Sequence, residues 1–124
     1  MDKNISPVNW YLGTYLARFI ELEDKSKHDP EKMFETWENT VIVKASNLDE
    51  AYSKIEAIGI EHSEPYKGGE EEIPVQWEYM GIVQLLPIYE ELEDGSEIMW
   101  AENRPRKLKN LKLMVKAKDE FYQK

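Results

Sequence analysis

The chain has 124 residues, 41% of them hydrophobic and 33% charged, with 16 Lys/Arg against 25 Asp/Glu and no cysteine. That length fits one domain with one core, and the lack of Cys excludes a disulfide framework, a thiolate zinc site and a cysteine nucleophile. The net charge of −9 disfavours non-specific contact with nucleic acid or an anionic membrane, while the absence of a membrane-length apolar run and of an apolar leader after Met1-Asp2-Lys3-Asn4 predicts a cytoplasmic protein.

Trp10 to Leu22 is dense in β-branched, aromatic and aliphatic residues and reads as a first strand. Trp10, Leu12, Leu16, Ile20 and Leu22 fall on one face, and Tyr11, Tyr15, Ala17 and Phe19 on the other. Both faces are apolar, so a helix is expected over one and a second subunit or the C-terminal tail over the other. Glu23 to Lys32 is a polar connection containing Pro30. Met33 to Ser46 follows as a second strand, antiparallel to the first, with Trp37, Val41, Val43 and Ala45 on one face.

Asn47-Leu48-Asp49-Glu50 is a helix start, since Asn47 can cap the free amides and Glu50 can reach back to the cap. Leu48, Ala51, Tyr52, Ile55 and Ile58 then form one apolar stripe, and Gly59 supplies a residue that can end the helix in the left-handed conformation. Glu61 to Pro74 reads as an irregular acidic loop. Val75 to about Leu92 reads as a long third strand, with Val75, Trp77, Tyr79, Val83 and Leu85 on one face and Pro87 marking a bulge or an exposed edge. Asp94-Gly95 signals a tight turn, and Glu97 to Glu102 is the expected returning strand. Pro105 can open a final helix reaching to near Gln123.

Trp10-Tyr11, Asn47-Leu48-Asp49-Glu50-Ala51, Trp77-Glu78-Tyr79-Met80-Gly81-Ile82 and Glu93-Asp94-Gly95-Ser96-Glu97 occur in an order and spacing that resembles the family known as domain of unknown function 4288. The resemblance covers about residues 10–103 and leaves the tail outside. It implies a bacterial origin, a compact α+β domain and no assigned catalytic residue.

The charges divide by position. Residues 1–103 carry 8 Lys/Arg against 23 Asp/Glu, and residues 104–124 carry 8 against 2. A basic amphipathic tail on an acidic body is expected to dock on that body, in the same chain or across a homodimer, through Arg104, Arg106, Lys107, Leu108, Leu111 and Val115. Nucleic acid is a weaker reading of the tail, because the body would repel phosphates.

Other constellations read more plainly. His28 and His62 lack a second histidine at ligand spacing, so solvated histidines are preferred to a metal site. Glu70-Glu71-Glu72 lacks the pattern of a calcium loop. There is no phosphate-binding glycine loop and no nucleophile elbow, and the chain calls for no cofactor. The strand aromatics are first of all core residues. A binding face built from Trp10, Tyr11, Tyr15, Trp77, Glu78 and Tyr79 is the alternative. The expected fold is thus α+β: a four-stranded, mainly antiparallel sheet in the order β-β-α-β-β-α, with one helix on a face and a basic helix at the end. The expected function is a non-enzymatic interaction module that self-associates and suits a basic protein partner. The alternative is a ligand-binding domain or enzyme with a site between the sheet and the 61–74 loop, using Glu78, Trp77 and His62.

Overall fold

The computed structural model describes residues 2–123. Met1 and Lys124, the outer ends of the acidic body and the basic tail, lie outside them. The elements are β1 (Trp10–Glu21), β2 (Thr36–Lys44), α1 (Leu48–Glu61), β3 (Tyr66–Gly68), β4 (Ile73–Pro87) and α2 (Leu108–Met114). They form an α+β fold with one four-stranded antiparallel sheet in the order β2-β1-β4-β3. The long β1 is central, pairing with β2 from Trp10↔Lys44 to Arg18↔Thr36 and with β4 from Tyr11↔Pro87 to Glu21↔Val75.

The odd-numbered face of β1 meets α1. Tyr11, Tyr15, Val43, Ala45, Ala51 and Ile55 are buried together there, with Val41, Leu48, Ile58, Tyr79, Ile82 and Leu85 packed around them. Gly13 permits the close approach, since a Cβ at that position would stand 2.1 Å from Ile55 Cδ1. The Asn47 cap forms as expected, its side chain accepting from the Glu50 amide at 2.8 Å, whereas Glu50 reaches past the cap to accept from the Ser46 amide at 3.3 Å.

The helix does not stop at Gly59. It runs to Glu61 and is closed by His62 in an ordinary right-handed conformation. Gly59 is needed for space, because a Cβ there would lie 2.5 Å from the Tyr79 ring and 3.3 Å from that of Tyr15.

The fourth strand also differs from the sequence expectation. It is the short β3, inside the segment read as a loop, and not Glu97–Glu102. The Asp94-Gly95 turn does form, with Gly95 at φ 89° and the Ser96 amide donating to Glu93 at 3.0 Å. No strand returns from it, because β4 has already ended at Pro87, leaving no ladder for a returning strand to join.

The register of β4 slips twice against β1, between Thr14 and Tyr15 and between Leu16 and Ala17, which leaves Val83 and Met80 as extra residues. Ile82 therefore takes the helix-facing place that strict alternation gave to Val83, and Val83 is exposed.

The other face of the sheet is partly covered by the chain itself and not by a helix. The 22–35 connection includes one 3-10 turn, Lys25–His28, whose cap Asp24 accepts from the Ser26 amide at 2.9 Å and pairs with Lys32. Hydrogen bonds from Lys32 and Ser26 hold the Asp24 carboxyl well below the usual carboxylate range. Arg18, on β1, stacks over the Phe34 ring at 4.6 Å. On this face Leu12, Thr14 and Ile20 of β1 are buried, whereas Ile42 on the flanking β2 is exposed.

The N-terminal segment is tied to the end of β4 by Ser6. Its buried hydroxyl donates to the Ile88 carbonyl and accepts from the Val8 and Trp10 amides, each at 3.2 Å. Ser6→Ala is expected to cost about 1–3 kcal/mol, because one buried and two part-buried backbone groups lose a shared partner. Urea unfolding followed by tryptophan fluorescence measures it.

The tail forms a shorter helix than expected: α2 spans Leu108–Met114, and a 3-10 turn follows at Lys118–Phe121. Every residue from 97 to 123 is exposed.

Candidate functional site

Antiparallel pairing sets Ala17 opposite both Trp37 on β2 and Tyr79 on β4, and Tyr15 opposite Asn39. These residues lie on the helix-facing side of the sheet, where α1 comes to its C-terminal end at Gly59 and His62. The helix stops before the sheet does. The uncovered end is a pocket of about 300 Å³ lined by Tyr15, Ala17, Trp37, Asn39, Gly59, His62 and Trp77.

Its walls are aromatic. Trp77 meets Trp37 edge to face, with centroids 5.9 Å apart and planes at 88°, and is braced from behind by Phe19 at 5.3 Å. Tyr15 packs against Tyr79 at 6.0 Å. The polar groups are few. The Tyr15 hydroxyl and His62 Nδ1 are 2.9 Å apart and share a hydrogen bond, and Asn39 contributes an amide on the β2 side. Burial raises the Tyr15 pKa, so the phenol stays neutral through the physiological range. Trp37 is 56% exposed and forms the open lip, whereas Tyr15 is 3% exposed and forms the floor.

Tyr79 supports the site from outside the pocket lining. Its hydroxyl is buried without a hydrogen-bond partner, and burial, followed by nearby Glu56 and Tyr52, raises its pKa. Tyr79→Phe is expected to leave stability unchanged or raise it by up to about 1 kcal/mol, since it removes a buried hydroxyl that gains nothing in return. Thermal unfolding of the two proteins side by side checks this.

Of the sequence candidates, Tyr15 and Trp77 meet in the pocket and Tyr79 lies behind it. Tyr11 is wholly buried, its hydroxyl accepting from the Ser6 amide at 3.0 Å, so it is a core residue and not a surface for a ligand. Trp10 lies at the far end of β1, with Lys44 Nζ 5.8 Å from its ring centre. Glu78 points away from the pocket and binds Arg18 Nε at 2.8 Å. His62 and Trp77 of the expected sheet–loop site are present together, but Glu78 does not join them. Trp37, one of the strand aromatics, was not among the binding-face residues named from the sequence, and Asn39 was in no candidate site. Their signal was the β1–β2 pairing, which sets a Trp-x-Asn pair beside Tyr15 and Ala17. The tail candidates Arg104, Arg106, Lys107, Leu108, Leu111 and Val115 are all exposed.

No helix among the described residues is long and apolar enough to cross a membrane. A comparison with curated proteins gave no match, and neither did one with solved structures. A family model described as "Domain of unknown function (DUF4288)" matches residues 10–100, from the first residue of β1 to beyond the Asp94-Gly95 turn, and so takes in the whole sheet, α1 and the aromatic pocket. The chain belongs to that family.

Proposed function

We propose that the protein is a non-enzymatic binding module that receives a planar or aliphatic group in the pocket between Trp37, Trp77 and Tyr15. The observation that carries this reading is the pocket's chemistry: two perpendicular indoles and a tyrosine ring around about 300 Å³, with only the Tyr15–His62 pair and Asn39 to orient a guest. Small-molecule and side-chain pockets are built this way, apolar walls giving affinity and a few polar groups giving orientation. Buried Trp and Tyr also dominate binding energy where protein surfaces meet. The carboxylate of the expected catalytic set, Glu78, is held by Arg18 on the opposite face, which favours binding over acid–base chemistry.

Indole is a suitable probe. In a ¹⁵N-labelled sample, millimolar indole is expected to shift the side-chain N–H signals of Trp37 and Trp77 and to leave those of Trp10 and Trp100 in place. Trp37→Ala is expected to abolish the response at Trp77. Equal shifts at all four tryptophans, or none in either this chain or its Leu111→Asp/Val115→Asp variant, would overturn the reading.

A further inference from the structure

We infer that the natural occupant of this pocket is the apolar side of the 104–123 segment of a second copy of the chain. The inference rests on the pocket being a binding site, as proposed above, and names what binds there.

The tail cannot hold its conformation by itself. A seven-residue helix is far below the length at which an isolated helix is stable in water. Its apolar side chains are exposed, from Leu111 at 43% to Leu113 at 81%. Such a segment orders when it lays its apolar side into a groove of suitable chemistry.

Charge selects the groove. Arg104, Arg106, Lys107, Lys109, Lys112 and Lys116 carry no salt bridge among the described residues. Near the pocket, Glu35 lies two residues before Trp37, Glu56 lies behind Tyr79, and Glu61 and Glu64 flank His62. None of these four acids is paired among the described residues. Residues 47–78, which carry α1 and the pocket residues Gly59, His62 and Trp77, hold 9 acids against 2 basic residues, and of those acids only Glu50 and Glu78 are paired among the described residues. Unpaired charge of one sign thus rims an aromatic pocket, and unpaired charge of the other sign lines an apolar segment.

A second copy is favoured over the chain's own pocket. The body ends at Ile88, which is held at the Tyr11–Pro87 end of the sheet, while the pocket lies farther along β1, at Tyr15 and Ala17. Residues 89–107 could span about 60 Å when extended, so reach does not prevent closure within one chain. The single chain nevertheless leaves residues 97–123 exposed. Exchange between two copies places each tail on its partner's pocket and closes the assembly symmetrically.

Sedimentation equilibrium of the full chain tests this with two exposed-site variants that spare the core, Trp37→Ala and the tail double variant Leu111→Asp/Val115→Asp. The wild type is expected to dimerise, with affinity falling as salt rises. Each variant alone is expected to raise the dissociation constant at least about tenfold, as loss of a central anchor does. An equimolar mixture of the two is expected to dimerise more tightly than either alone, because one intact tail can then meet one intact pocket. A monomeric wild type, or a mixture no tighter than its components, would overturn the inference. Indole separates this from failure of the pocket reading. The tail variant is expected to bind indole more tightly than the wild type. Equal binding by both rejects the tail as occupant but keeps the pocket, and no binding by either rejects both.

Discussion

Ile55→Ala is expected to lower the unfolding free energy by about 2–5 kcal/mol, the range for truncating a fully buried aliphatic side chain. Ile55 is 0% exposed and lies at the point where α1 is closest to β1, its Cδ1 directly over Gly13. The loss has two parts, the transfer of three methylene-sized groups back to water and a cavity that cannot collapse. The walls of that cavity belong to Tyr11, Tyr15 and Val43, which the sheet ladder holds in place. Domains of this size are stable by only about 5–15 kcal/mol, so one substitution takes a large share. A urea titration should show a lower midpoint with an unchanged slope. A loss under about 1 kcal/mol would mean that the helix does not pack on this face.

The second large effect concerns a glycine in a helix. By propensity alone, Gly59→Ala should stabilise α1 by about 1 kcal/mol. The added methyl would instead stand 2.5 Å and 2.6 Å from two atoms of the Tyr79 ring. That ring cannot swing aside cheaply, because it is wedged against Tyr15 on one side and helix α1 on the other. Overpacking of this kind costs about 1–3 kcal/mol, which outweighs the gain in propensity. The variant should therefore unfold at lower temperature. Displacement of Tyr79 and Tyr15 should also reach the pocket and change the emission of Trp77 and Trp37. A more stable variant would show that the Tyr79–Tyr15 layer is loose.

How much of this was legible in the sequence depends on how local the determinant is. β1, β2 and the start of α1 were legible, since alternation and the Asn47 cap are properties of a few adjacent residues. Asp94-Gly95 correctly marked a turn, but whether a strand returns depends on a neighbouring ladder, and the ladder had stopped at Pro87. The helix-facing role of Ile82 was hidden by the two slips in β4, because period-two reading has no means of counting an inserted residue. β3 was hidden for a related reason. Tyr66-Lys67-Gly68 carries little strand signal and is held by its pairing with Ile73–Val75. Gly59 looked like a stop signal because an end-of-helix glycine and a close-packing glycine are the same letter. The site was half legible. Tyr15 and Trp77 stood out as strand aromatics, whereas Trp37 and Asn39 acquire their role only once the β1–β2 register is fixed.

The slips in β4 bear on one more property. β3 covers β4 only from Ile73 to Val75, so among the described residues the outer rim of β4 runs on with no strand beside it, and the Ser63 hydroxyl receives the Tyr79 amide at 3.0 Å. A straight rim of that kind is a template on which strands from other molecules can add without limit, which is how fibres begin. Met80 and Val83 break the regular spacing of its donors and acceptors, and Gly81 between them lies at φ 150°. An incoming strand would lose step at each of these positions. The crooked rim therefore guards the open sheet edge against continued strand addition.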